Sequence, residues 1–400
     1  MRADRMLFAF LALALAASAC RAQTTGTAPL TAGLRLPSGF TGEIVANVPN
    51  ARELAFAPNG DLFVGSEGDD VYIVAHADAS GGADSPRVYW RDPDGDAPNA
   101  GVTFVASEHA VYVGSNTAVW RLDYRAGDPR PLSATRIARV RMGPVAPHSD
   151  GDIHQTTSLA FTGGTLYVSV GSSCNACREV DPTRASLLAF SPDGGAYTKK
   201  ARRIRNAIAL AVNPRSGHLW VAGAGQDDLA FGHPYEFADD LSAHAGIADY
   251  GWPDCEEDRV AYVRGADCRD TVVPLVEIPA YSTIIGATFY PFDPHAKYAF
   301  PASYRGGLFL AAHGSWHRTT AGADAAAAQV VFVPMNGDEP ATGVNWNDPR
   351  TQWRPFFTGF QRGPTARIGR PAGVAVGPNG SLFVADDATG NIYRIRPRPR

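Results

Sequence analysis

Six times along the chain, an apolar stretch leads into a turn of Pro, Gly, Asn or Asp, and a second apolar stretch then ends in small residues. Glu53-Leu-Ala-Phe-Ala-Pro-Asn-Gly-Asp-Leu-Phe-Val-Gly65 is the first copy. Val102 to Tyr124 is the second, Ser158 to Gly171 the third, Ile208 to Gly225 the fourth, Gly286 to Gly314 the fifth, and Gly373 to Ala385, continuing to Ile395, the sixth. Side chains alternate within each copy, and the turns carry hairpin residues. Copies begin about 50 to 90 residues apart, a period that suits propeller blades carrying insertions. One copy cannot bury both of its faces, so neighbours must stack and the ring must close. The pattern predicts an all-β, six-bladed β-propeller. Phe40 to Ala46, ahead of the first copy, is expected to supply the outer strand of the last blade and join the termini, which also removes an exposed edge.

With 41 Gly and 30 Pro against 4 Met in 400 residues, the composition favours frequent turns over long helices. The 36 basic and 40 acidic residues are mixed along the chain, and no basic patch points to nucleic acid. The first twenty residues read as an export signal: Arg2 and Arg5, an apolar run from Met6 to Ala17, then small residues before Cys20. Ala17-Ser18-Ala19-Cys20 has the form of a bacterial lipobox, so Cys20 is a candidate for lipidation. Residues 21–33 would be a flexible tether and 34–400 the propeller. The expected location is the periplasm or a lipid anchorage on the cell envelope.

Four cysteines remain in an oxidising compartment, so disulfides are the default. The simplest of three connectivities is Cys174–Cys177 with Cys255–Cys268. A four-thiolate zinc site is the rival, with only one close pair to support it.

Loops entering the innermost strands reach the axial face of a propeller, and three polar residues stand at that position. His154 precedes the third copy and can accept a proton near neutral pH. Arg205, followed by Asn206, precedes the fourth. Arg370 precedes the sixth, and a guanidinium suits a carboxylate or a developing oxyanion. A lone histidine is more often structural, and a buried arginine more often an inter-blade ion pair. Three at matching blade positions are harder to dismiss. His313-Gly314-Ser315-Trp316 ends a strand of the fifth copy. After the fourth, Asp227-Asp228 and Asp239-Asp240 flank a loop whose carboxylates and carbonyls suit a hard cation.

At these residues the chain resembles the soluble glucose/sorbosone dehydrogenases that use pyrroloquinoline quinone, from about Leu34 to Ile395. His154-Gln155, Arg205-Asn206, Tyr250-Gly-Trp-Pro253, His313-Gly-Ser-Trp316 and Gly369-Arg-Pro371 carry the resemblance. Gly171-Ser-Ser-Cys-Asn-Ala-Cys177 is similar to the cysteine-containing sorbosone branch. The resemblance implies oxidation of a sugar or aldose, with hydride passing to the quinone while His154 takes the hydroxyl proton. It implies Arg205 beside the accepting oxygen, and Arg205, Asn206, His313 and Arg370 against the cofactor. It places calcium at the carbonyls of Gly225 and Gln226, with Asp240 in support. The chain departs from the glucose branch at Gln226 (there Pro), near His313 (there Lys) and at Ala372 (there a second Arg). No Cys-x-x-Cys-His is present for haem, so electrons would pass to a separate acceptor. A calcium-dependent lactonase-type hydrolase and a non-catalytic carbohydrate- or protein-binding propeller remain open from the sequence.

Overall fold

The computed structural model of the chain describes residues 27–147, 153–227, 235–255, 258–292, 295–314, 327–363 and 366–399. Six antiparallel sheets form the blades of a propeller, as expected. Blade 1 comprises Ala51–Phe56, Leu62–Ser66, Asp70–Val74 and Arg87–Arg91, innermost strand first. Blade 2 comprises Gly101–Val105, Ala110–Gly114, Ala118–Asp123 and Ser133–Arg139. Blade 3 comprises Thr157–Thr162, Thr165–Val170, Ser186–Ser191 and Gly194–Arg202. Blade 4 comprises Asn206–Val212, Leu219–Ala224, Tyr235–Asp240 and Val276–Pro279. Blade 5 comprises Ile284–Phe289, Leu308–Ala312, Gln329–Val333 and Arg354–Phe357. Blade 6 comprises Pro371–Val376, Leu382–Asp386 and Asn391–Pro397.

Phe40–Asn47 closes the ring as the fourth strand of blade 6, pairing Phe40 with Pro397 and Asn47 with Asn391. Phe40 is buried against Phe300, ring centroids 4.6 Å apart, in an aromatic cluster shared by blades 5 and 6. A fully buried Phe is worth about 1.5–3 kcal/mol, so the closing strand is held by side chains as well as by its ladder. The expected tether does not run free to residue 33. Ala28–Pro29 adds a short strand to blade 6, with Ala28 opposite Ile44. Blade 3 also departs from four strands, because Ala248–Asp249 pairs in parallel with its outer strand.

Inner strands contact one another around the full ring and enclose a channel of about 330 Å³. The small residues ending the second strands have a packing cause. A Cβ on Gly114 would sit 2.0 Å from the carbonyl oxygen of Thr157, at the entry of the next blade. Blades can touch there only because that side chain is missing.

Candidate functional site

The entries of the inner strands gather at one end of the channel, joined by contacts that pass from blade to blade. Arg52 and Glu53 enter blade 1, His154 precedes blade 3, Arg205 precedes blade 4, and Arg370 precedes blade 6. Glu53 accepts a hydrogen bond from Ser158 of blade 3. Thr283, entering blade 5, donates its N–H to Glu236 of blade 4, whose charge also acts on Arg205. Beneath the entries, Ile208, Ile285 and Ala372 pack together as an apolar floor. Ala372, where the glucose branch carries a second Arg, is part of that floor.

His154 is fixed from two sides. Its Nδ1 lies 2.8 Å from Ser172 Oγ and 3.1 Å from the Ser172 carbonyl. The Ser172 hydroxyl donates its own proton to the Cys174 carbonyl at 2.8 Å. Both Ser172 oxygens are therefore acceptors toward the ring, which assigns the proton to Nδ1 and leaves the Nε2 lone pair available. Burial, reinforced by the nearby Arg205 and Arg141 charges, holds the imidazole well below its usual pKa, so it is neutral at pH 7. Arg141 donates to the carbonyls of His154 and Thr156 at 2.9 and 2.8 Å and so pins the strand entry. Gly171 completes the packing: a Cβ there would lie 2.6 Å from His154 Cβ and 2.8 Å from Asn206 Oδ1.

Arg205 is buried, with its guanidinium bound to Asn175 and ion-paired to Asp227 at 3.0 Å. Asp227, read from sequence as part of a cation loop, is thus a counter-charge for Arg205. Asp228 and the rest of that loop to residue 234 lie outside the described residues, as do Cys20, Ser315 and Trp316.

Opposite, His313 faces Asp387 at 2.8 Å, and Asp387 also accepts from Arg52 at 2.7 Å. Burial, with Arg370 and Arg52 near, pushes His313 down to about 4 against the pull of Asp387. It is a neutral donor rather than the cation that a Lys would supply. Arg370 donates to the carbonyls of His313 and Gly314 at 3.2 and 2.6 Å; burial brings it down to about 10, so it stays charged. Arg52, which the sequence reading passes over, lies inside the first strand at the register position of Ala372, two residues beyond that of Arg205 and Arg370. Together they give the entry ring three buried or half-buried guanidinium groups.

Gly225 and Gln226 follow the second strand of blade 4, and the buried Oε1 of Gln226 has no hydrogen-bond partner among the described residues. An orphaned carbonyl oxygen there is a donor of the kind a hard cation takes. Asp240 does not join it. The strand Tyr235–Asp240 runs antiparallel to Leu219–Ala224, so Asp240 sits opposite Trp220 at the far end of the blade. There it binds His218 Nδ1 at 2.7 Å and caps Leu241–Ala243 through the Ser242 N–H at 2.9 Å. Both expected disulfides are present, Cys174–Cys177 and Cys255–Cys268, which removes the four-thiolate zinc alternative.

Residues 34–398 match the TrAA12-like family. The chain belongs to that family. The kinship expected from the sequence, with quinone-dependent sugar dehydrogenases, holds at this level. Among solved structures, this TrAA12-like chain is similar to the holo form of the pyranose dehydrogenase PQQ domain from Coprinopsis cinerea. The identity is 18%, covering 92% of this chain and 98% of that one, with a TM-score of 0.73. A calcium structure of the Trichoderma reesei Carbohydrate-Active Enzymes Family AA12 protein is 19% identical over 94% of this chain and 98% of that one, TM-score 0.73. The PQQ-bound form of aldose sugar dehydrogenase from Streptomyces coelicolor is 18% identical over 90% and 99%, TM-score 0.59. An uncharacterised protein of Borreliella burgdorferi is 21% identical over 389 residues, 93% of each chain. At these identities the solved structures speak to the fold alone.

Proposed function

We propose that this chain is an exported, quinone- and calcium-dependent dehydrogenase that oxidises a sugar or aldose, with His154 as general base. The observation that carries the reading is the assignment of the His154 proton to Nδ1, which turns an unprotonated Nε2 into a base held beside the Arg205 charge. Family membership and the PQQ- and calcium-containing relatives support the cofactor assignment.

The residues present fit the implied groups. A flat anionic quinone needs several fixed cations, and Arg52, Arg205 and Arg370 supply them at one end of the channel, with Asn206 and His313 as neutral partners. Calcium needs oxygen donors, and Gln226 Oε1 and the carbonyl of Gly225 would provide them. When bound, the quinone supplies a two-electron oxidant and the calcium a Lewis acid. His154 Nε2 accepts the proton of the sugar hydroxyl as the adjacent C–H bond gives up its electron pair, which for an aldose leaves a lactone. The Arg205 guanidinium holds positive charge where negative charge develops, in a site desolvated enough to make it count. A lipid anchor at Cys20 would tether the enzyme to the cell envelope, and a separate acceptor would take the electrons.

His154→Asn tests the base directly. A positioned base contributes about 10²–10⁴-fold, so kcat should fall by that order while quinone affinity stays within about threefold. Unchanged turnover would remove His154 from the chemistry.

A further inference from the structure

The Cys174–Cys177 disulfide closes a loop holding only Asn175 and Ala176. On a chain-entropy argument, so short a loop constrains the unfolded chain less than a long one does, and global stability is a weak reason for it. Its local effect is more specific. Asn175 uses every polar group of its side chain, and its carbonyl, in contacts around Arg205. The carbonyl accepts from Arg205 Nε at 3.0 Å and from Trp252 Nε1 at 3.0 Å. Its Oδ1 accepts from Arg205 Nη2 at 2.9 Å and from the Asp227 N–H at 2.8 Å. Its Nδ2 donates to the Asp227 carbonyl at 2.9 Å, and Asp227 Oδ2 closes the figure on Arg205 Nη2 at 3.0 Å. Trp252 in turn packs on Cys174 and Ala185, with Cys177 against them. The Nε and Nη2 edge of one buried guanidinium is thus held by a single residue whose backbone is enclosed by the disulfide that spans it. The clamp also reaches His154, because the Ser172 N–H donates to the Arg205 carbonyl at 2.9 Å.

We propose that Asn175, framed by the Cys174–Cys177 disulfide, is a positioning residue that fixes the Arg205 guanidinium in the site, and that opening the disulfide loosens it. This rests on the quinone reading only for its catalytic consequence; the positioning itself belongs to the cofactor-free protein. A linear Cys-Asn-Ala-Cys segment would have to order its backbone anew to make the same contacts, whereas the cross-linked one arrives ordered. The motif that resembles the sorbosone branch and the Trp of Tyr250-Gly-Trp-Pro253 are, on this account, two halves of one device.

The test uses Asn175→Ala and the double variant Cys174→Ser/Cys177→Ser, with two readouts. In the quinone-free protein, phenylglyoxal labelling of Arg205 is followed by peptide mass mapping. Arg205 is protected in the native protein by its burial, and buried Arg141 serves as the folding control. Both variants should label Arg205 about tenfold faster, the scale of one charge-assisted hydrogen bond, while Arg141 stays protected. In the second readout, quinone affinity should fall about tenfold for Asn175→Ala, yet change less than twofold when that substitution is made on Arg205→Ala, since a residue that acts through Arg205 has nothing left to act on. Native-level protection of Arg205 in Asn175→Ala, or an equal loss of affinity with and without Arg205, overturns the positioning role. Protection retained in the cysteine variant alone overturns the part given to the disulfide. Failure of the native protein to bind quinone, with labelling as expected, would sink the quinone reading and leave the clamp standing.

Discussion

Gly171→Ala places one methyl group at the point where blades 3 and 4 meet the proposed base. The added Cβ would lie 2.6 Å from His154 Cβ, 2.9 Å from the His154 carbonyl oxygen and 2.8 Å from Asn206 Oδ1. Carbon atoms in contact sit about 3.5–4.0 Å apart, so His154 or its strand entry must retreat by roughly 1 Å. Arg141 and Ser172 hold that entry in place, so part of the misfit remains as strain of about 1–3 kcal/mol. A displacement of about 1 Å at a reacting group can cost about 10²-fold, or about 2.7 kcal/mol of barrier. The expected result is therefore a fall in kcat/KM of about two orders of magnitude in dye-linked sugar oxidation, with a modest drop in Tm and a smaller loss of quinone affinity. Gly81→Ala, whose Cβ would meet nothing within 4 Å, is the control and should behave as the native protein does. Activity within about threefold of native for Gly171→Ala, at unchanged Tm, would refute the claim that the close packing sets the His154 position.

Two further outcomes follow from buried charge. Burial pushes the Glu53 carboxyl up to about 8, outweighing its hydrogen bonds with Ser158 and Val102 and the Arg52 charge. A raised carboxyl gives stability that is full below its unfolded value and is lost as pH rises through about 8, so Glu53→Gln should gain several degrees of Tm over native at pH 9 and almost none at pH 5; a pH-independent difference contradicts this. Asp387 is the counter-charge of Arg52 and accepts from the neutral His313, and Asp387→Asn should destabilise the fold by about 2–3 kcal/mol in urea titration at pH 7, part of the cost being met by the Arg52–Glu67 pair at 3.1 Å. A change under about 0.5 kcal/mol would mean that Arg52 and Arg370 do not depend on it.

Much of this architecture is legible in the chain. The propeller follows from period-two stretches with hairpin turns, and the closing strand follows from the need to remove an edge once six copies are counted. His154, Arg205 and Arg370 are readable because each precedes an inner strand. Arg52 fails that criterion because it lies within the inner strand Ala51–Phe56, and Arg52-Glu53 reads as an ordinary solvated pair until Asp387 is seen beside it. Asp240 misleads in the other direction: it is close to Gly225 in sequence, yet the antiparallel strand between them carries it to the opposite end of the blade. Arg141 and Asn175 leave no signal, because each acts through backbone carbonyls or a loop conformation that only the folded chain defines.

The most direct test of the account is titration of the purified protein with pyrroloquinoline quinone and Ca²⁺, reading quinone absorbance and dye reduction across a panel of aldoses. Saturable binding near one quinone per chain, followed by sugar-dependent dye reduction that Arg205→Ala and Arg370→Ala both weaken, is the predicted result. No binding, or lactone cleavage proceeding without quinone, would contradict the reading of the guanidinium-lined entry ring as the seat of a quinone.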